Sequence, residues 1–255
     1  MVITYTPSPR LAEFVSCFWA LSSLDAAHSE LVYPTGRIQV IFHYGDPFID
    51  TLPSGSALIH PRFALCGQKT SYSHVSAGGS CGMIGAVLHT HAAFRVLGLP
   101  VHEITDLTVG LAEVVCEWSD LEEEFLDCVD DPSRIAVIEK FILLKTAGDA
   151  CCGDYFVRSC VDEIEHSRGT TVPHKSLERF DLSKRSMQRI FRERTGLSPK
   201  KYAEIVRFEH CIALLGRHRD TTTAALEAGF YDQSHCIREF RRLCGLTPLE
   251  FSRAM

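Results

Sequence analysis

The 255-residue sequence contains no apolar run near the roughly 18–20 residues that a membrane-spanning helix requires, and no basic-then-apolar leader at its start. Membrane insertion and export are therefore not expected, and a cytoplasmic location is. No pair of Cys-x-x-Cys knuckles occurs among the 11 cysteines, which argues against a zinc ribbon or finger. The cysteines are odd in number and scattered (17, 66, 81, 116, 128, 151, 152, 160, 211, 236 and 244), several at apolar helix positions, so they read as reduced core thiols. A Walker loop, a Ser/His/Asp signature, a Pro-Cys-His nucleophile and a cysteine cluster near the N-terminus are all missing. Neither an enzyme nor a cofactor is expected.

What is present is a globular composition, 45% hydrophobic and 23% charged, over a length that suits two domains. The net charge of −6 conceals a split. Residues 157–255 hold 18 Lys/Arg against 13 Asp/Glu, a balance of +5, whereas residues 1–156 hold 8 against 19, a balance of −11. A basic half suits a polyanion, and the acidic half is repelled by one.

Residues 1–110 read as strands and turns. A β-rich run, Arg37 to Tyr44, sits between Pro/Gly turn signals, and Cys81 to Thr90 is a second strand. After Pro100, apolar spacings of three and four predict helices over 111–118, 121–129 and 133–145, the last with Ser133 as a possible cap. Residues 148–153 are small and aperiodic. From there on every pattern is helical, with helices predicted at 157–167, 174–180, 184–194, 200–215, 221–228, 233–243 and 248–253. The expected fold is thus an N-terminal α+β domain (1–147; a small sheet or barrel followed by helices), a linker (148–156), and an all-α domain (157–255) with two helix-turn-helix units joined by a long helix.

The strongest signal is a repeat. Arg189, Phe191, Arg192, Gly196-Leu197 and Pro199 recur 49 residues later as Arg238, Phe240, Arg241, Gly245-Leu246 and Pro248. In the first copy Ser183 is placed to cap a helix whose Met187, Ile190 and Phe191 share an inward face, leaving Lys184, Arg185, Gln188 and Arg192 outside. In the second, Ala224, Ala225 and Ala228 pack a first helix, Gly229-Phe230 ends it, and Asp232 or Ser234 caps the next. Helix, tight turn, then a helix with a basic outer face is the helix-turn-helix layout. Arg pairs with guanine and Gln with adenine in the major groove. A lone helix of this kind is as well explained as the solvated face of a small bundle; two copies at a fixed offset favour DNA. The helix 200–215 spans roughly 24 Å at about 1.5 Å per residue, enough with its turns to hold two readers near one DNA turn, about 34 Å, apart.

Residues 157–255 resemble the DNA-binding domain of AraC/XylS-type bacterial transcription regulators. The resemblance is carried by Leu182-Ser-Lys-Arg-Ser-Met-Gln-Arg-Ile-Phe191, Gly196-Leu-Ser-Pro199, Ala225-Leu-Glu-Ala-Gly-Phe-Tyr-Asp-Gln-Ser-His235 and Arg238-Glu-Phe-Arg-Arg-Leu-Cys-Gly-Leu-Thr-Pro248. It implies control of σ-dependent promoters, double-stranded DNA and RNA polymerase as partners, and base contacts from Arg185, Gln188 and Arg189 in the first unit. For the second it implies contacts from Gln233, Ser234, His235 and Arg238. Cys236 replaces a usual Phe and Ala224 a bulkier aliphatic, so the second unit is expected to be the more loosely packed.

Residues 7–145 resemble, less strongly, a domain found before AraC-type domains, through Leu11-Ala-Glu-Phe-Val-Ser-Cys-Phe-Trp19, Tyr33-Pro-Thr-Gly-Arg-Ile-Gln-Val-Ile-Phe42, Leu65-Cys-Gly-Gln-Lys-Thr70 and Phe94-Arg-Val-Leu-Gly-Leu-Pro100. That resemblance implies a module that senses a small-molecule effector, forms a homodimer, or both. Two other readings stay open: an enzyme of the cysteine-based DNA repair kind fused to the DNA-binding half, and a protein-docking module without a ligand. His89 and His91, on one face if that segment is a strand, are metal candidates with Cys66 or Cys81 as a third ligand. Cys151-Cys152 is expected in the linker, as filler or as an oxidant-responsive pair.

Overall fold

A computed structural model of the chain describes residues 2–23, 28–115, 118–119, 121–217 and 220–254. The N-terminal half is built on two antiparallel sheets. The larger has the order β1 (Val2–Tyr5), β2 (Val15–Ser23), β9 (Cys81–Leu88), β4 (Ile38–His43), β7 (Phe63–Cys66), β10 (Thr108–Gly110). The smaller runs β3 (His28–Val32), β8 (Ser73–Ala77), β5 (Ile49–Thr51), β6 (Ala57–Ile59).

The larger sheet is covered on both faces, which is why β9 is buried from end to end. Alternation along each strand sorts the residues. Phe18 and Ala20, Val40 and Phe42, Ile84 and Ala86 join the core beneath the helices α1 (Ala93–Leu97), α2 (Leu111–Val114), α3 (Glu122–Leu126) and α4 (Asp131–Lys145). Their neighbours Trp19, Leu21, Ile41 and Met83 face the smaller sheet. Trp19 lies across its register partner Gly85, where a Cβ would stand 2.1 Å from Cε2 of the indole, so only glycine fits there.

Phe42, Phe63, Trp118, Phe125 and Phe141 form one ring cluster, with centroids 4.7–6.1 Å apart, that binds helices to sheet. Each such side chain contributes roughly 1.5–3 kcal/mol by leaving water.

Three local expectations change. The helices begun near 111 and 121 are single turns, since Val115 is already extended. The cap of α4 is Asp130, whose carboxylate accepts the Ser133 N–H at 2.9 Å, rather than Ser133 itself. And the segment expected as a linker contains the first turns of α5 (Cys152–His166). Asp154 accepts the Cys151 N–H at 2.8 Å and pairs with Arg194, whose guanidinium also donates to Cys151 Sγ at 3.1 Å. Cys151 and Cys152, both exposed, therefore start a helix.

From α5 onward the chain is helical: α6 (Lys175–Phe180), α7 (Lys184–Thr195), α8 (Pro199–Leu215), α9 (Thr221–Glu227), α10 (Gln233–Cys244) and α11 (Pro248–Ala254). These close on a second core in which Phe156, Phe191, Tyr202, Phe208 and Phe240 are buried.

Candidate nucleic-acid interface

Two helix pairs, α6–α7 and α9–α10, have the same construction. Ser183 Oγ accepts the Ser186 N–H at 3.1 Å at the start of α7, and Asp232 Oδ1 accepts the His235 N–H at 2.6 Å at the start of α10. Each cap satisfies an otherwise unpaired first-turn donor, typically worth about 1 kcal/mol. Met187 and Phe191 turn inward in the first unit, Cys236, Phe240 and Leu243 in the second. Both helices stop at a glycine in the left-handed region, Gly196 at φ +87° and Gly245 at φ +77°, where residues with a Cβ are disfavoured.

This burial pattern determines what is left outside. Lys184, Arg185, Gln188, Arg189 and Arg192 are exposed on α7, and Gln233, Ser234 and Arg238 on α10. His235 is half-buried, its ring 5.4 Å from Phe230 in an edge contact. Arg189 pairs with Glu193 at 3.3 Å on the surface, a bond weak enough to be exchanged for another anion. Arg185, Gln188, Arg189 and Arg192 line one groove of about 510 Å³ with His102, which the N-terminal half supplies.

The second unit is not the looser one. Ala224 and Cys236 are fully buried, and Phe208 and Phe240 stack edge to face at 4.7 Å. Tyr33, from the N-terminal half, adds edge contacts to Phe208 and Phe251 at 5.7 and 5.8 Å.

The two halves are joined through this region. Tyr202 on α8 is buried, and its hydroxyl donates to Glu165 at 2.7 Å and lies 3.3 Å from Thr90 Oγ1. Thr105 Oγ1 donates to the carbonyl of Gly196 at 2.9 Å. A Cβ at Gly196 would meet Thr105, Gln68 and Val101 at 3.0–3.3 Å, and one at Gly245 would meet the Tyr72 ring at 2.7 Å. The segment Gln68–Tyr72 thus touches the end of both outward-facing helices. It is stapled by Asp106, whose carboxylate accepts the Thr70 N–H at 2.6 Å and its hydroxyl at 2.7 Å.

The two histidines named as metal candidates do not lie on a strand. Strand β9 ends at Leu88, so His89 and His91 fall in the turn before α1, where their rings stack at 5.5 Å and 17°. Cys81 begins the same strand, roughly 23 Å away at about 3.3 Å per residue, and Cys66 is buried in β7. Among the described residues no group of three His, Cys, Asp or Glu is placed to hold a metal.

An arrangement of two capped helix pairs with basic outer faces defines a helix-turn-helix DNA-binding protein. Comparison with known proteins gives the type. Residues 177–254 match the family described as "Helix-turn-helix domain", and residues 3–110 match "Domain of unknown function (DUF6597)". The HTH-type transcriptional activator RhaS of Escherichia fergusonii is 39% identical over 75 residues, which cover 29% of this chain and only 27% of the relative. Among solved structures, ToxT of Vibrio cholerae aligns over 93% of this chain and 98% of its own, at 6% identity and a TM-score of 0.49. The AraC-like transcriptional activator CuxR aligns over 89% and 90%, at 12% identity and a TM-score of 0.34. Residues 177–254 of this chain form a helix-turn-helix domain. Among the described residues no helix is long and apolar enough to cross a membrane.

Proposed function

We propose that the protein is a sequence-specific transcription regulator in which α7 and α10 enter successive major-groove segments of one duplex. The observation that carries this reading is the common exposed face of the two helices: Lys184, Arg185, Gln188, Arg189 and Arg192 on one, Gln233, Ser234 and Arg238 on the other, with His235 half-buried beside them. Arg185, Gln188 and Arg189 read bases in the first segment, and Gln233, Ser234, His235 and Arg238 in the second; Lys184 and Arg192 hold phosphates. The N-terminal domain, residues 1–147, is the controlling module, acting through a small-molecule effector, a homodimer contact or both, and RNA polymerase is the partner at the promoter. Residues 157–255 are the DNA-binding unit.

Genome-wide mapping of bound sites, followed by footprinting on the strongest, tests the reading. Two protected major-groove segments about one turn apart are expected. Uniform, sequence-independent binding that vanishes in moderate salt is the result that would overturn it.

A further inference from the structure

Between the two sheets lies a cavity of about 320 Å³, within the size range of small-molecule sites. Its walls are largely apolar, with Trp19, Leu21, Ile41, Phe48, Val75 and Met83 among them. Three histidines also line it, and two of them are buried. His43 is 1% exposed and His60 6%, and their rings are 5.7 Å apart; neither nitrogen of His43 has a hydrogen-bond partner, nor has Nδ1 of His60, whose Nε2 lies 3.8 Å from Asp50 Oδ2. Buried polar atoms in folded proteins are overwhelmingly paired, so three orphaned nitrogens against one cavity point to a partner that arrives from outside the chain.

Of the other polar groups on the wall, Arg37 is exposed and donates to Ser16 Oγ at 2.7 Å, and exposed Glu30 lies 3.3 Å from His28. Lys69, also on the wall, donates to Asp50 Oδ2 at 2.7 Å and Ser73 Oγ at 2.5 Å, and Trp19 Nε1 donates to Gln39 at 3.0 Å. Lys69 and Asp50 therefore cancel, and Asp50 is held ionised because its hydrogen bonds to neighbouring side chains outweigh burial. Burial, with His60 alongside, lowers the pKa of His43 to about 4, which leaves a neutral imidazole. A carboxylate entering this space would lose its water and find Lys69 taken and Arg37 exposed to solvent. A neutral imidazole, by contrast, offers one donor and one acceptor, the complement of a hydroxyl or carbonyl.

We propose that the cavity binds an uncharged, mainly apolar molecule the size of a small fused-ring system, whose hydroxyl or carbonyl pairs with His43 and His60. The inference rests on the regulator reading only in making this molecule the effector; the binding itself stands apart from DNA.

Titration calorimetry on the full chain tests it with three probes of one shape: 2-naphthol, 2-naphthoate and 2-methylnaphthalene. Stoichiometric binding of 2-naphthol is expected, with the other two at least about tenfold weaker, since a site built around a hydrogen bond rejects analogues without it. His43→Phe weakens 2-naphthol at least about tenfold and leaves 2-methylnaphthalene unchanged. Val75→Phe, which adds bulk to the cavity wall from the smaller sheet, abolishes the heat and guards against a His43 variant that fails to fold. Arg185→Ala binds 2-naphthol as the parent does. Equal or tighter binding of 2-naphthoate or 2-methylnaphthalene, binding untouched by both cavity variants, or no binding of any probe overturns the proposal. Loss of sequence-specific DNA binding with 2-naphthol binding intact sinks the regulator reading instead.

Discussion

Tyr72 stands directly against Gly245. A Cβ built on that glycine lies 2.7 Å from Tyr72 Cζ, and the backbone there has φ +77°. Gly245→Ala therefore meets two penalties, a left-handed alanine and a ring that must move. A loss of about 1–3 kcal/mol in urea unfolding is expected. In the Tyr72→Ala background the ring is gone and only the backbone strain remains, so the same substitution costs less. Equal costs in both backgrounds would show that the ring is not in contact with the cap.

Tyr202 ties α8 to α5 through Glu165 and to the N-terminal half through Thr90. Tyr202→Phe keeps the ring and removes the hydroxyl, so the exposed Glu165 carboxylate exchanges its donor for water. A destabilisation of about 0.5–1.5 kcal/mol follows, measured by chemical denaturation. A variant as stable as the parent would mean that water replaces the hydroxyl at no cost.

Glu209, also on α8, has its carboxyl pushed up to about 7, chiefly by burial, with Glu165 adding to it and Arg37 opposing. Its folded pKa lies above the unfolded value, so the folded state binds the proton more tightly. Stability consequently falls as pH rises from about 4.3 towards the folded pKa, then levels off. Glu209→Gln removes that titration. The parent is expected to lose more stability than the variant between pH 5 and pH 8, read from urea midpoints; parallel profiles would exclude Glu209 as the cause.

Arg185 and Gln188 face outward from a helix whose inner face is fixed by Met187 and Phe191. Replacing either by Ala should cost about 1–3 kcal/mol in operator binding and relax discrimination at one base position. Arg192→Ala should weaken all sequences alike and lower the salt slope by about 1. Binding to a panel of single-base operator variants distinguishes the two patterns.

The C-terminal helices were legible in the sequence almost to their ends, because caps, apolar spacing and stops agree. Ser183, Asp232, Gly196 and Gly245 are each local signals. What lay beyond reach was non-local. Nothing near Cys236 or Ala224 announces that both are fully buried, so small residues read as loose packing. His43 sat in plain view within a strand, yet its meaning depends on His60, 17 positions away on the far side of a turn. Asp154 is equally instructive: the residues before it lack any apolar period, and the helix starts there through a carboxylate cap and an arginine 40 residues on. His89 and His91 were misplaced because β9 ends one residue before them.

The stretch Gln68–Tyr72 deserves a mechanical description. It reaches the terminus of each reading helix, it is locked by Asp106, and its Lys69 forms part of the cavity wall. On the proposal that α7 and α10 read two groove segments, such a stretch is a caliper: the jaws are the two helix ends and the screw is the sheet behind. The separation of the readers is then a property of the N-terminal half as much as of the helix between them. Exchanging that half for another would change the gap between acceptable DNA sites before it changed a single base contact.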